Sequence, residues 1–137
     1  MAASFASEFH LSSCPVLTVM RCHYHFHQPT DVKGRPKAGV RSGLIRVTLL
    51  GDDNGTLTNW AADPMKASKG RIIFKDINGG TLRTLYFEDT YCVDYAETHA
   101  PGNSEAAYVF ELGLTARRIA IDNTRHDNMW LDWKPGE

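Results

Sequence analysis

No stretch of these 137 residues approaches the roughly 18 consecutive apolar residues that a membrane helix needs, so no bilayer span is expected. Neither sign of charge dominates: 15 Lys and Arg stand against 16 Asp and Glu, a formal net charge of −1. That balance argues against a strongly basic nucleic-acid binder and against an acidic tail, because both need a long-range field. Cysteine is scarce, and Cys14, Cys22 and Cys92 are an odd set without a C-x-x-C pair. A disulfide framework is therefore not expected, and a reducing cytoplasm fits. Residues 1–11 contain no Lys or Arg and no apolar run, so Leu11-Ser12-Ser13-Cys14 resembles a lipoprotein box only superficially and no conventional export signal is read there. Nucleophile elbows, P-loops and G-x-G-x-x-G phosphate cradles are missing as well. With no repeat or low-complexity segment, residues 1–137 read as one domain, long enough for one hydrophobic core.

What is present is alternation. Phe5, Phe9 and Leu11 predict a short opening strand. Residues 16–27 carry the clearest period-2 pattern, with Met20, Cys22, Tyr24 and Phe26 expected inward and Arg21, His23, His25 and His27 outward. A long connection follows over residues 28–39, then a strand over residues 42–50. Leu57, Trp60 and Ala61 fall at i, i+3, i+4 and predict one short helix, capped by Asp52, Asp53, Asn54 or Thr56 and stopped at Asp63 by Pro64. Residues 70–88 read as a hairpin turning at Asn78-Gly79, with Tyr91, Val93 and Tyr95 extending it. Residues 98–104 read as a loop, and residues 107–121 as a long strand interrupted near Gly113. The tail holds Trp130 and Trp133. The expected fold is mainly β, an antiparallel barrel of six or seven strands with one short flanking α-helix.

Chemistry has few footholds. His23, His25 and His27 project from one strand face about 6.5–7 Å apart. Two such imidazoles can share a zinc ion at about 2.0–2.1 Å, but a third from the same strand strains, so a polar lumen or interface face is the better reading and no metal or cofactor is assigned. Asp52-Asp53 and Glu88-Asp89 are explained by a helix cap and by opposite strand faces rather than by acid–base catalysis. Lys33, Arg35, Lys37 and Arg41 form a basic cluster in the long connection, without the interleaved aromatics of a nucleic-acid platform. A basic loop docking on an acidic patch of a neighbouring subunit fits better.

The order of motifs is more specific than any one of them. Cys22-x-Tyr24-x-Phe26 leads into Asp31-Val32-Lys33-Gly34-Arg35-Pro36; Trp60 with Asp63-Pro64 and then Gly70-Arg71-Ile72-Ile73-Phe74 follow. Leu82-x-x-Leu85-x-Phe87-x-Asp89-x-Tyr91, Tyr95-x-Glu97 and His126-x-Asn128-x-Trp130 complete the set. Across residues 4–131 this resembles the type VI secretion system tube protein, the Hcp or TssD family, in its Bacteroidetes variety. Tail-tube proteins of phages and of extracellular contractile injection systems share the architecture and are the alternative, with a small metal-binding barrel behind them. The resemblance implies a non-enzymatic subunit forming hexameric rings that stack into a tube, with contractile sheath, spike, baseplate and secreted effectors as partners. It implies synthesis in the cytoplasm and exit through the type VI apparatus. It also implies that the loop with Asp31, Lys33, Gly34, Arg35, Pro36 and Lys37 reaches an adjacent subunit or ring.

Overall fold

The structure is a computed structural model. It describes residues 7–12, 14–27, 30–36, 41–42, 44–51, 55–99 and 108–128. Phe5, Lys37, the cap candidates Asp52, Asp53 and Asn54, most of the expected loop over residues 98–104, and Trp130 and Trp133 lie outside the described residues.

The strands are β1 (Ser7–Leu11), β2 (Leu17–His23), β3 (Phe26–His27), β4 (Arg41–Ser42), β5 (Ile45–Leu50), β6 (Ser68–Lys75), β7 (Thr81–His99), β8 (Tyr108–Ile121) and β9 (Thr124–Asp127), with one helix, α1 (Thr56–Ala62), between β5 and β6. All pairings are antiparallel, in the order β5-β2-β1-β6-β7-β8-β9. A further β5–β8 pairing closes the first six into a barrel and leaves β9 as an extra strand, while β3 and β4 form a separate two-stranded arm. Closure removes two sheet edges that would otherwise expose unpaired backbone.

Two strands make the closure possible. β7 has 19 residues and β8 has 14, and each runs through both halves of the barrel. β6 pairs with β7 only as far as Thr90, and β5 pairs with β8 only over residues 109–114. Their inward phase switches midway. In β7 the buried residues are Leu85 and Phe87, then Thr90; in β8 the buried hydrophobic residues are Ile121 and Ile119, then Ala116, Leu114, Leu112 and Phe110. Asp89 marks the corner with φ 49, opposite residues 117–118. A second irregularity falls between Cys92 and Asp94, where Val93 is the extra residue and is 55% exposed. Such bulges sharpen local twist and re-aim side chains. Two sheets result. Sheet I has the order β2-β5-β8-β7, and sheet II contains β1, β6, the first half of β7, the second half of β8, and β9.

Several expectations need correction. Residues 16–27 are not one strand: β2 ends at His23, and the chain is irregular at Tyr24 and His25 before β3. The β2–β5 register shifts between Val19 and Arg21, which turns Met20 outward to 59% exposure; Cys22 and Tyr24 pack against the core, and Phe26 does not. The expected strand over residues 42–50 divides into β4 and β5. β8 continues through Gly113 rather than breaking there, because the missing side chain admits the neighbouring Asp94: a Cβ on Gly113 would lie 2.9 Å from that of Asp94. Among the described residues the helix has no side-chain cap. Gly55, at φ 82, is its N-cap, and Thr56 is already helical. Its end does match expectation, with Asp63 extended ahead of Pro64.

The helix is short and stays put through packing. Leu57 and Trp60 are buried with Phe9, Leu17, Leu49, Phe87 and Phe110 in one apolar cluster. The Trp60 indole Nε1 donates to the Lys66 carbonyl at 3.1 Å and the Thr90 carbonyl at 3.2 Å, so its one polar atom enters the core satisfied.

β1 and β7 close tightly over Gly70 of β6. A Cβ there would collide with the His10 carbonyl oxygen and come within 2.9 Å of the Phe87 ring. Gly70→Ala is expected to lower stability by about 1–3 kcal/mol, read as a lower urea midpoint at unchanged m. An unchanged midpoint would contradict this close approach.

Candidate functional site

The arm is built around one carboxylate. Thr30 and Pro36 form a β-bridge, and between them the chain turns with Gly34 N donating to the Asp31 carbonyl at 2.9 Å and Asp31 N to the Arg35 carbonyl at 2.9 Å. Asp31 Oδ1 accepts the amides of Lys33 (2.9 Å) and Arg35 (3.0 Å), and Oδ2 accepts Arg35 Nε at 2.8 Å. The Arg35 backbone amide is the main cause holding the Asp31 carboxyl below its ordinary value; it outweighs desolvation, and the Lys33 amide and the Arg35 side chain add to it. Gly34 supplies the left-handed residue at φ 82, and Pro36 resumes the extended path. Lys33 and Pro36 are exposed, and Arg35, though exposed, spends its guanidinium on Asp31. Lys37 lies outside the described residues, as does the side chain of Arg41.

The turn between β6 and β7 repeats this construction. Gly79 N donates to the Asp76 carbonyl and Asp76 N to the Gly80 carbonyl, while Asp76 Oδ1 accepts the amides of Asn78 and Gly80. Gly79 has φ 85, and no positive φ falls on Asn78. The turn is thus a longer loop over residues 76–80, not the two-residue Asn-Gly turn expected. The shared spacing, Asp31-x-x-Gly34 and Asp76-x-x-Gly79, was the signal available in sequence. Both tips place a β-branched apolar residue in water after the aspartate: Val32 is fully exposed and Ile77 is 88% exposed.

The histidines divide. His23 ends β2, His25 lies between strands, and His27 is in β3 paired with Arg41. All three are exposed, and the His23 and His25 rings are 5.8 Å apart at 33°. Between them Tyr24 stacks on Phe74 of β6, and Phe26 meets the ring of His126 of β9 edge-on at 5.3 Å, which ties the arm's root to those two strands. Among the described residues no group of three His, Cys, Asp or Glu converges on a point. Cys22 and Cys92 are free thiols pushed up to about 11 by burial, so both stay protonated at neutral pH.

Sheet I also has two unlike margins that no further described strand covers, the one on β7 having α1 packed nearby through the Thr58 Oγ1–Tyr95 OH contact at 2.8 Å. β1 pairs with β2 only over residues 17–19, and β6 leaves β7 after Thr90. Among the described residues, no strand lies beside residues 20–23 of β2 on one margin or 91–99 of β7 on the other. Each edge carries its bulged, exposed apolar residue, Met20 and Val93.

Because Asp31's pKa is lowered in the folded state, its contribution to the tip is complete above its ordinary value of 3.8 and is lost as pH falls through the lowered one. NMR titration is expected to leave the Lys33 and Arg35 amides unchanged from neutral pH to about 4 and to shift them together below that. Separate or absent transitions would contradict a turn held by one carboxylate.

Residues 3–131 match the family described as hemolysin coregulated protein Hcp (TssD). Hcp1 from Flavobacterium johnsoniae is 27% identical, with a TM-score of 0.74 over 90% of this chain and 100% of that one. A double mutant of Hcp1 from the E. coli EAEC 042 pathovar has the same fold at 12% identity, with a TM-score of 0.71 over 92% of this chain and 99% of that one. The anti-feeding prophage baseplate shares the fold at 10% identity and a TM-score of 0.53, over 85% of this chain and 91% of the chain matched. No curated relative matches the chain. With the family match covering nearly its whole length and its barrel superposing on an Hcp1 from end to end, the chain belongs to the Hcp (TssD) family, the tube subunits of the type VI secretion system.

Proposed function

We propose that this chain, as a single domain, closes into hexameric rings by setting the open β2 edge of one copy against the open β7 edge of the next. The observation that carries this is the pair of unlike edges on one sheet, each with an exposed apolar bulge, in a chain of the Hcp family. Heterologous contacts of this kind close into rings when the rotation per copy divides a full turn, and they remove edges that would otherwise recruit strands at random. The rings stack into a tube. The arm, its tip made rigid by Asp31, reaches an adjacent subunit or ring and carries Val32, Lys33 and Arg35 outward. His23, His25 and His27 face the lumen or an interface. The role is structural and not enzymatic: the tube is made in the cytoplasm, is driven out by sheath, spike and baseplate, and delivers effectors.

Placing a charge at both bulges, Met20→Asp with Val93→Asp, is expected to leave the barrel's thermal unfolding nearly unchanged, since both side chains are exposed. The same variant should convert rings to monomers, read by light scattering after size exclusion and by negative-stain images. A wild-type chain that stays monomeric at high concentration would sink the ring reading. Replacing Lys33, Arg35 and Lys37 together by alanine is expected to weaken ring contacts or stacking without unfolding the monomer. Tubes of wild-type length from that variant would remove the arm from assembly.

A further inference from the structure

The outer face of sheet II carries a groove of about 1140 Å³ that uses neither open edge of sheet I. Strand register places His10, Arg71, Tyr86, Ala120 and Arg125 side by side on five adjacent strands, β1, β6, β7, β8 and β9. Three strand spacings of about 4.8 Å separate Arg71 from Arg125, a span of roughly 14 Å. Tyr86, 47% exposed, and the small Ala120 lie between them. Ala120 makes the low point of the row, with an aromatic face on one side and a guanidinium on the other.

The carboxylates around this groove are already engaged. Asp122 faces Arg83 at 3.7 Å, Asp127 faces Arg117 at 3.5 Å and Arg118 at 3.4 Å, and Glu88 faces Arg118 at 3.7 Å. Glu8, beyond the His10 end, accepts Lys75 Nζ and contacts His10 Nε2, both at 2.9 Å; the bond from Lys75 and then that from His10 keep its carboxyl below its usual range. Lys69, Arg71 and Arg125 are exposed and, among the described residues, have no carboxylate within ion-pair distance. Lys69 stands two positions along β6 from Arg71 and lines the same groove. The face therefore offers two separated cationic ends and an apolar middle.

We propose that this groove binds an extended acidic segment of another protein, with the pattern acid-x-aromatic-x-acid. In an extended chain, side chains at i, i+2 and i+4 share one face, and four residues at about 3.4 Å span close to 14 Å. One carboxylate meets Arg71 with Lys69 nearby, the central ring lies over Ala120 against Tyr86, and the second carboxylate meets Arg125. Charge sets the partner and its direction of approach, while the Tyr86 contact adds area in the middle.

The test is fluorescence anisotropy on the full chain with a labelled peptide of core Glu-Ser-Phe-Ser-Glu, beside its counterpart Gln-Ser-Phe-Ser-Gln. The acidic peptide is expected to bind saturably and to weaken several-fold as salt rises from about 0.05 to about 0.5 M. Arg71→Glu with Arg125→Glu is expected to weaken it at least about tenfold, and Tyr86→Ala by less, with unfolding transitions unchanged. Equal binding of the glutamine peptide, unaltered binding by the double variant, or no saturable binding overturns the proposal. A double variant that no longer forms rings where the wild type does also overturns it, since the face is then a contact between copies.

Discussion

The pairing of β5 with β8 is the constraint on which the rest of this structure depends. A six-stranded sheet closes only if some strands bend far enough to serve both sides, and β7 and β8 are the two long enough to do so. Their bend at Asp89 and residues 117–118 changes which side chains face inward, so core residues come from odd positions on one side of the corner and even positions on the other. Thr90 enters a fully buried position at that switch; its hydroxyl donates to the Glu88 carbonyl, and its own carbonyl receives the Trp60 indole. The helix is held where the barrel turns its corner. Relaxing that corner would take away one of the two carbonyls that receive the Trp60 indole, leaving only Lys66 to satisfy it in an apolar setting.

The two Asp-x-x-Gly tips follow a second rule, that a short loop far from the core must supply its own order. One aspartate accepts the two amides that the turn leaves without backbone partners, and one glycine takes the left-handed conformation other residues avoid. Nothing in that arrangement requires Val32 or Ile77, since the position after the aspartate accepts most residues. A highly exposed β-branched side chain at each tip, Val32 and Ile77, is therefore not a product of the turn itself.

Much of the fold was legible from local pattern because barrel strands keep one face in and one face out. Phe9, Leu11, Leu57, Trp60, Leu85 and Phe87 all lie in the core, and the chain order of their elements matches the reading. The failures share a cause. Strict alternation puts Met20 inward and a break at Gly113 because it cannot register a bulge or a close backbone approach, both of which depend on the partner strand. The helix N-cap falls on Gly55, whose left-handed conformation provides no side-chain signal. At the arm, the sequence pattern marks Arg35 as one of a basic cluster but does not show that Asp31, four residues earlier, holds its guanidinium within the same turn. The groove on sheet II was invisible for a simpler reason. Arg71, Tyr86 and Arg125 come together only through strand register, which no sequence spacing between them encodes.

The net charge of −1 acquires a different meaning once those positions are known. A near-zero total lets identical copies approach, but it does not require each surface to be neutral. On sheet I, Arg46 faces Asp94 at 3.5 Å across the side-chain-free strip at Gly113, so that cation is locally compensated. On sheet II the acids are engaged by Arg83, Arg117 and Arg118, and the surplus falls to Lys69, Arg71 and Arg125. If the edges of sheet I meet neighbouring copies, sheet II is the sheet those contacts leave free, and it is also the face where charge has been left uncompensated. In such an assembly, contacts between copies rest on edge geometry and apolar bulges, which work at short range. Selection of a different partner rests on charge, which acts over about 8–10 Å at ordinary ionic strength and sorts partners before they touch.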